Sequence, residues 1–195
     1  VDAMGGDNSP GKTINGVALF LKNNKNSDFV IQLFGDEKKI NFELDKYKIQ
    51  KNLIEIIHTE SVVSDEETPL TAIKSSKDTS MWKCINAQLV GNADISLSAG
   101  NTGVLLVISR MILKMINEVN KPALAGLWPN QKGMNVVLDL GANIECDENN
   151  LIDFAELGSA LYKSLYPTDQ PVVSLLNIGS EEIKGTEILK KANKK

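Results

Sequence analysis

Apolar residues recur along this chain in two patterns, as short uninterrupted runs and as longer stretches with an apolar residue every three or four positions. The uninterrupted runs predict strands at residues 1–4, 29–34, 53–57, 93–97, 123–128, 134–140 and 172–177. The periodic stretches predict helices at residues 12–21, 80–90, 104–116 and 149–165, and another from residue 186 onwards. Asp36 follows the second of these strands, and we expect it to cap one more helix.

The order of these elements indicates the fold class. Strands that alternate with helices and are apolar almost throughout are typical of a parallel sheet covered by helices on both faces. We therefore expect an α/β protein, a three-layer α/β/α sandwich with a mostly parallel sheet, forming a single domain over residues 1–195. The chain ends inside a predicted helix, and sheets of this type ordinarily have more strands. We therefore expect the domain to be truncated at its carboxyl end.

Composition narrows the class of protein. Hydrophobic residues make up 42% of the chain and charged residues 24%, the mix of an ordinary globular protein. The formal net charge is −4 and there is no basic stripe, which argues against nucleic-acid binding. Cys84 and Cys146 lie far apart and have no CxxC partner, so neither a disulfide framework nor a zinc site is expected. These features are typical of a cytoplasmic protein.

The candidate chemistry lies in loops that follow predicted strands, where ligands collect in open α/β sheets. In the first loop, Gly5 and Gly6 allow close approach of the backbone to a ligand, and Asp7 follows them. A second loop precedes the most apolar helix, where free N–H groups and the helix dipole attract anions. Its small and polar residues are Ser98, Gly100, Asn101, Thr102 and Gly103.

Two further loops carry polar residues after predicted strands. Asp139 and Asn143 follow one strand, and Asn177 and Lys184 follow another. At each of the four loops the alternative is a capped turn that binds nothing. His58 is the single histidine and is expected at a surface or sheet edge, so Ser–His or Cys–His catalysis is poorly supported. No spacing of histidines or carboxylates indicates a metal.

The four loop segments, taken together and in order, resemble one family. DAMGGDNSP (2–10), SAGNTG (98–103), LDLGAN (138–143) and LLNIGSEEIKG (175–185) resemble the phosphate acyltransferases of bacterial phospholipid synthesis. KSSKDTSM (74–81) and KPAL (121–124) are weaker matches, and Lys121 stands where the family usually has arginine. One such segment would carry little weight, but the ordered set covers nearly the whole chain.

The resemblance implies an activity that the patterns alone do not give. It implies transfer of a fatty acyl group from acyl carrier protein to inorganic phosphate, without a cofactor, to give acyl-phosphate for phospholipid synthesis. It also implies a Rossmann-like fold similar to the isopropylmalate-dehydrogenase-like group and a homodimer. A cytoplasmic enzyme is expected, with peripheral contact to the inner membrane face through a carboxyl-terminal region that this sequence lacks.

These implications lead to a hypothesis for each candidate residue. The amides of residues 100–103, with Asn101 and Thr102, bind phosphate, and Lys184 neutralises phosphate or the developing oxyanion. Asp139 and Asn143 hold this constellation by hydrogen bonding, while the first glycine loop forms another wall. Two alternatives stay open, a phosphotransacetylase-like enzyme that uses coenzyme A and a non-catalytic module that binds phosphate or acyl carrier protein. A nicotinamide dehydrogenase is disfavoured, because no GxGxxG loop precedes an acidic residue at the required distance.

Overall fold

A computed structural model describes residues 1–24, 28–49, 51–64, 66–69, 71, 74, 76–179, 181 and 184–195. Six helices and four strands lie in these residues. The helices are α1 (Gly11–Asn23), α2 (Glu37–Lys46), α3 (Ser80–Leu89), α4 (Thr102–Leu113), α5 (Glu148–Leu165) and α6 (Glu187–Lys194). The strands are β1 (Ile31–Gly35), β2 (Ile54–His58), β3 (Gly126–Asn130) and β4 (Gly133–Val137). Single 3-10 turns occupy Lys51–Leu53 and Ser76–Asp78.

Contacts divide the chain into two compact units, Val1–Lys114 and Met115–Lys195. In the first unit β1 and β2 pair in parallel, with Ile31 opposite Ile54. The amino-terminal residues lie beside β1, because Phe34 donates its N–H to the Val1 carbonyl and accepts from Ala3. Asp2 donates its own N–H to the carbonyl of Leu97 at 2.8 Å. The prediction of a mixed α/β protein with a parallel sheet is therefore confirmed.

Side chains on β1 pack in two directions, as the alternation along a strand requires. Leu33 belongs to a core with residues of α1 and α2, namely Ile14, Val17, Ile40 and Leu44. Phe34, the next residue, belongs to a different cluster with Cys84 and Ala87 of α3. A third cluster joins α3 to α4 through Met81, Ile85, Val104, Ile108 and Ile112. β1 is thus covered by helices on both sides.

The helices begin close to where the sequence predicts them. The Asp36 carboxylate accepts hydrogen bonds from the N–H groups of Lys38 and Lys39, which confirms the predicted cap of α2. Thr79 caps α3 by accepting from the Trp82 N–H. The most apolar helix, α4, is shorter than predicted. It ends at Leu113 because Lys114 adopts a φ of 65°, in the left-handed region that a helix cannot include.

The second unit contains an antiparallel hairpin and two helices. β3 pairs with β4 through a short turn at residues 131–132, in which the Asn130 side chain accepts from the Lys132 N–H. The predicted turn at residues 129–133 is thus shorter in the structure, because Pro129 and Gly133 pair across the hairpin with Met134 and Asn130. Helix α5 opens with a reciprocal capping box between Asp147 and Asn150.

Two predicted strands are wrong, and a third, at residues 1–4, is reduced to a single bridge between Asp2 and Phe34. Residues 93–97 and 172–177 are both described, and neither forms a strand. A β-like composition is insufficient, because a strand exists only where a neighbouring edge accepts its backbone hydrogen bonds. Leu97 is joined to Asp2 by one such bond, and the apolar side chains of Val172 and Leu176 stay 92% and 89% exposed.

Candidate active site

A pocket of about 460 Å³ opens in the first unit beside the amino-terminal glycine loop. One wall is formed by the first loop and the start of α1, and the other by residues 97–99 of the second loop. The residues that line it are Val1, Asp2, Gly5, Gly6, Asp7, Ser9, Lys12, Thr13, Leu97, Ser98 and Ala99. The structure therefore brings the predicted residues Gly5, Gly6, Asp7 and Ser98 together.

A buried carboxylate joins the two loops at this pocket. Asp2 is only 1% exposed, and its Oδ2 accepts a hydrogen bond from the Ser98 hydroxyl at 2.7 Å. Its Oδ1 accepts from the Met4 N–H at 3.2 Å. The Ser98 Oγ in turn accepts from the Gly100 N–H at 3.1 Å. The carboxylate thus reaches the backbone of the second loop through one hydroxyl.

The glycines are required by the closeness of the two loops. A Cβ atom added to Gly5 would lie 2.7 Å from Asp2 Oδ2, 2.8 Å from Ser98 Oγ and 2.8 Å from the Gly100 nitrogen. Gly6 has a φ of 86°, and a Cβ there would lie 2.7 Å from the Ala99 carbonyl oxygen. Side chains at these positions would push the loops apart. The Gly-Gly pair therefore serves close packing of backbone against backbone.

The second loop leads directly into α4. Asn101 is the cap, since its Oδ1 accepts from the Val104 N–H at 3.1 Å, while its Nδ2 donates to the Glu67 carbonyl at 3.0 Å. Thr102 and Gly103 form the first turn. N–H groups in a first turn have no acceptor within the helix, and the helix dipole makes that end attractive to anions. This helix start therefore favours an anion, although residues 100–103 are not among those that line the pocket.

In the second unit, Asp139 organises its own loop. Its Oδ1 accepts from the N–H groups of Leu124 (2.8 Å) and Ala142 (3.1 Å). Its Oδ2 accepts from the backbone and side-chain amides of Asn143, at 2.7 Å and 2.9 Å. Burial opposes the charged form, but these four hydrogen bonds outweigh it, so that the pKa of Asp139 lies below its usual value of 3.8. Asp139 is thus an ionised anchor for residues 139–143.

The loop that carries Lys184 is held by short-range contacts. The Asn177 side chain accepts from the Ile178 N–H at 2.8 Å, and its Nδ2 donates to the Lys184 carbonyl at 3.5 Å. Gly185 has a φ of 86° and lies against the Asn177 amide, where a Cβ would clash. The Lys184 side chain is exposed, at the entry to α6. Asn177 is therefore hydrogen-bonded to the backbone of Lys184, while the Lys184 side chain is exposed.

Four polar residues of the pocket were not predicted as site residues. Asp2 and Ser9 are part of the quoted DAMGGDNSP segment but had no assigned role, and Lys12 and Thr13 were treated only as the start of a helix. A signal for Asp2 exists in the sequence, because a carboxylate within the last residues of an apolar strand needs partners. Lys12 and Thr13 follow the loop by one turn of helix, which places them over the same cavity.

Other candidate groups have ordinary environments. His58 is exposed at the end of β2, as predicted, and its Nδ1 accepts from the Glu37 N–H at 3.2 Å. Cys84 is buried in the core, and burial raises the pKa of Cys146, which disfavours its reactive thiolate. Within the described ranges, histidine, cysteine and acidic side chains form no group of three suited to a metal. Of the helices described, none is long and apolar enough to cross a membrane.

Comparison with known proteins places the chain in a family. The family model described as "Fatty acid synthesis protein" matches residues 1–195. A curated relative from Pelagibacter ubique, named phosphate acyltransferase, is 54% identical over 190 residues, which are 97% of this chain and 56% of the relative. Relatives of the same name from Parvibaculum lavamentivorans and Bradyrhizobium diazoefficiens are 42% and 41% identical, over 98% and 99% of this chain but 53% and 54% of their own lengths.

The chain thus spans about half the length of the curated relatives it matches. The similarity nevertheless extends over almost all of its residues. The predicted resemblance is confirmed, and the chain belongs to the fatty acid synthesis protein family, together with relatives named phosphate acyltransferase.

Proposed function

We propose that this chain is part of an enzyme that transfers a fatty acyl group from acyl carrier protein to inorganic phosphate, forming acyl-phosphate for phospholipid synthesis. The observation that carries the proposal is the junction of two glycine loops, which encloses a pocket between Gly5, Gly6 and Ser98, while the second loop continues into the first turn of α4. The names of the relatives support phosphate as the acceptor. Their family description supports a substrate from fatty acid synthesis.

The chemistry needs positioning more than it needs a protein nucleophile. A phosphate oxygen attacks the thioester carbonyl carbon, a tetrahedral oxyanion forms, and the carbon–sulfur bond then breaks to release a thiolate. Phosphate esters lose their second proton near pH 6, and thiols ionise near pH 8.5, so neither group requires a strong catalyst at neutral pH. Donors aimed at the phosphate and the oxyanion lower the barrier.

The described residues can supply these donors. The amides of Thr102 and Gly103, with the Thr102 hydroxyl, bind phosphate at the positive end of α4. Ser98 and Gly100 hold the loop, because their hydrogen bonds are directed to Asp2 and to each other. Lys12 adds a positive charge on the pocket wall, where the acyl thioester is received. Gly5, Gly6 and Asp7 lie on the same wall as Lys12, and Ser98 lies on the other.

The remaining predicted residues belong to the second unit and keep their predicted roles as part of this proposal. Lys184 balances the charge of phosphate or of the oxyanion. Asp139 acts indirectly, since both of its oxygens are occupied by amides of its own loop. Asn143 and Asn177 shape the two loops that carry these charges.

Two substitutions at Asn101 test the phosphate site in the complete natural polypeptide. Asn101→Ser and Asn101→Asp both retain an oxygen that can cap α4 and both lose the donor to Glu67, so their stabilities should be similar. Asn101→Asp also adds a negative charge where phosphate binds. We expect it to lower the rate of acyl-phosphate formation about 100-fold relative to Asn101→Ser. Equal rates in the two variants would refute the phosphate site.

Lys184 is tested in the same assay. Lys184→Ala should lower kcat/KM for phosphate by about 10- to 100-fold, because one charge partner is lost. Lys190→Ala is the matched control, since Lys190 lies on α6 and pairs with Glu187 at 3.2 Å. Wild-type rates for Lys184→Ala would remove Lys184 from the site.

The acyl donor is tested separately. Comparing acyl carrier protein with coenzyme A as the donor distinguishes this proposal from a phosphotransacetylase-like enzyme, and inactivity of the complete polypeptide would favour a binding module.

The fold, assembly and location of the complete protein are part of the same proposal. A three-layer, Rossmann-like α/β/α sandwich is supported by β1, which has α1 and α2 packed on Leu33 and α3 on Phe34. A parallel bridge between Asp2 and Phe34 extends this arrangement, and Asp2 is also hydrogen-bonded to Leu97. The proposal also includes a homodimeric complete protein that is located in the cytoplasm and contacts the membrane peripherally. Sedimentation of the complete polypeptide and its binding to anionic vesicles test these two points.

A further inference from the structure

The two loops of the pocket come from opposite ends of the first unit, and a side-chain pair joins them in addition to the backbone hydrogen bond from Asp2 to Leu97. Asp2 and Ser98 are 96 positions apart, and the Ser98 hydroxyl lies 2.7 Å from the Asp2 carboxylate. The carboxylate is 1% exposed, and a buried carboxylate is costly unless hydrogen bonds satisfy it. The pair is therefore a strong constraint on how the second loop sits against the first.

The direction of each hydrogen bond follows from the groups involved. The Ser98 hydroxyl donates its proton to the Asp2 carboxylate oxygen, which accepts. Its oxygen lone pair is then available to the Gly100 N–H, at 3.1 Å. The Met4 N–H occupies the other carboxylate oxygen, at 3.2 Å. Asp2, Ser98 and Gly100 thus form one chain of hydrogen bonds that ends at the backbone, two residues before α4.

We propose that Asp2 is a positioning residue for the reaction: through the Ser98 hydroxyl it fixes the Gly100 peptide and so aims the first amides of α4 at phosphate. The inference rests on the proposed function, which did not assign Asp2 a role. Gly5 is consistent with this role, because its backbone packs so closely on Asp2 and Ser98 that a Cβ atom would not fit there. Asp2 does not touch the substrate in this proposal.

The closest test is Asp2→Asn, which keeps the shape of the side chain but replaces one carboxylate oxygen with an NH₂ group. One acceptor oxygen then remains, although the Met4 N–H and the Ser98 hydroxyl each donate to a separate oxygen in the wild type. Either Met4 then faces an NH₂ group or Ser98 must reverse its hydroxyl, and in both cases the chain of hydrogen bonds is disturbed. Ser98→Ala removes the same link from the other side while retaining the carboxylate.

Ser96→Ala is the matched control. Ser96 lies two residues earlier, is also partly buried, and donates its hydroxyl to the Cys84 carbonyl at 3.0 Å, away from the pocket. It should therefore lose a comparable hydrogen bond, and a comparable amount of stability, without disturbing the loops. Thermal midpoints of all variants show whether they are folded.

The measurements are kcat and the KM for phosphate in the complete natural polypeptide, together with direct phosphate binding by calorimetry. We expect Asp2→Asn and Ser98→Ala each to lower kcat/KM for phosphate at least 10-fold and to weaken phosphate binding, with Ser96→Ala within twofold of wild type. Because both substitutions break one link, the double variant should be no more than about twofold worse than the worse single variant. Should Asp2→Asn fail to fold, Ser98→Ala against Ser96→Ala decides the question.

The outcomes separate this inference from the proposed function. If the wild-type protein forms acyl-phosphate but Ser98→Ala matches Ser96→Ala in kcat/KM and in phosphate binding, the positioning role is wrong and the proposed function stands. Multiplicative losses in the double variant would also overturn the role. If the wild-type protein binds no phosphate and forms no acyl-phosphate, the proposed function fails, and with it this inference.

Discussion

The requirement for glycine differs sharply between two positions of the first unit. A Cβ atom added to Gly5 would lie only 2.7–2.8 Å from three polar atoms, one of which is the backbone nitrogen of Gly100. Gly16 lies inside α1 and has nothing within 4 Å of the same point. The sequence alone identifies Gly5 as part of a loop, but the reason for glycine there depends on residues almost a hundred positions away.

Gly5→Ala and Gly16→Ala should change stability in opposite directions. A methyl group at Gly5 forces the two loops apart and should lower the free energy of unfolding by about 1–3 kcal/mol, as overpacking does. At Gly16 the same change should raise it by about 0.5–1 kcal/mol, because alanine favours the helix. Urea denaturation of both variants measures the difference. A Gly5→Ala protein as stable as Gly16→Ala would contradict the close approach of the loops.

Asp139 should confer a pH-dependent stability. Its folded pKa lies below 3.8, so the stability it contributes is present above that pH and is lost as the pH falls through the folded value. The ¹³C chemical shift of its carboxyl group should titrate with a midpoint below 3.8. Asp139→Asn should be less stable than wild type at neutral pH, and the gap should close in acid. A midpoint at or above 3.8 would contradict the four hydrogen bonds.

At the scale of elements, helix starts were predicted well because their signals are local. Asp36 precedes α2 and Thr186 precedes α6, and in both cases the capping side chain accepts from an N–H of the first turn. Strands were predicted less well, since pairing is not local. Residues 172–177 have the composition of a strand, but none of the described segments pairs with them. Helix α4 ends because of the backbone conformation of Lys114, and a lysine side chain does not predict such a conformation.

Helix α5 offers a test of capping in the second unit. Asp147 accepts from the N–H groups of Asn149 and Asn150, both at 2.9 Å. Asp147→Ala should lower the free energy of unfolding by about 1 kcal/mol, because these N–H groups lose their acceptor. Asp147→Asn retains an acceptor and should cost only a fraction of that. Denaturation midpoints compare the two, and an equal loss in both would show that charge at the helix start matters more than the cap.

For the whole molecule, sequence patterns identify the α/β class and the four loops, while the motif resemblance identifies the family. They do not identify the buried Asp2–Ser98 pair, because no local pattern connects residues so far apart. Nor do they explain why apolar side chains near the end of the second unit are exposed, namely Val172, Leu176 and Ile178, the last of which is 85% accessible. Apolar patches of this kind mark surfaces that contact other protein or membrane.

The span of the Asp2–Ser98 hydrogen bond also has a consequence for the order of folding. Closing a loop of about 100 residues carries an entropic cost that grows with the logarithm of its length, so contacts of this kind generally form after local helices. The pocket should therefore be among the last features of the first unit to assemble. During synthesis, a ribosome-bound chain cannot complete this pocket until residue 98 has emerged, so the proposed phosphate site would form only when the unit is nearly whole.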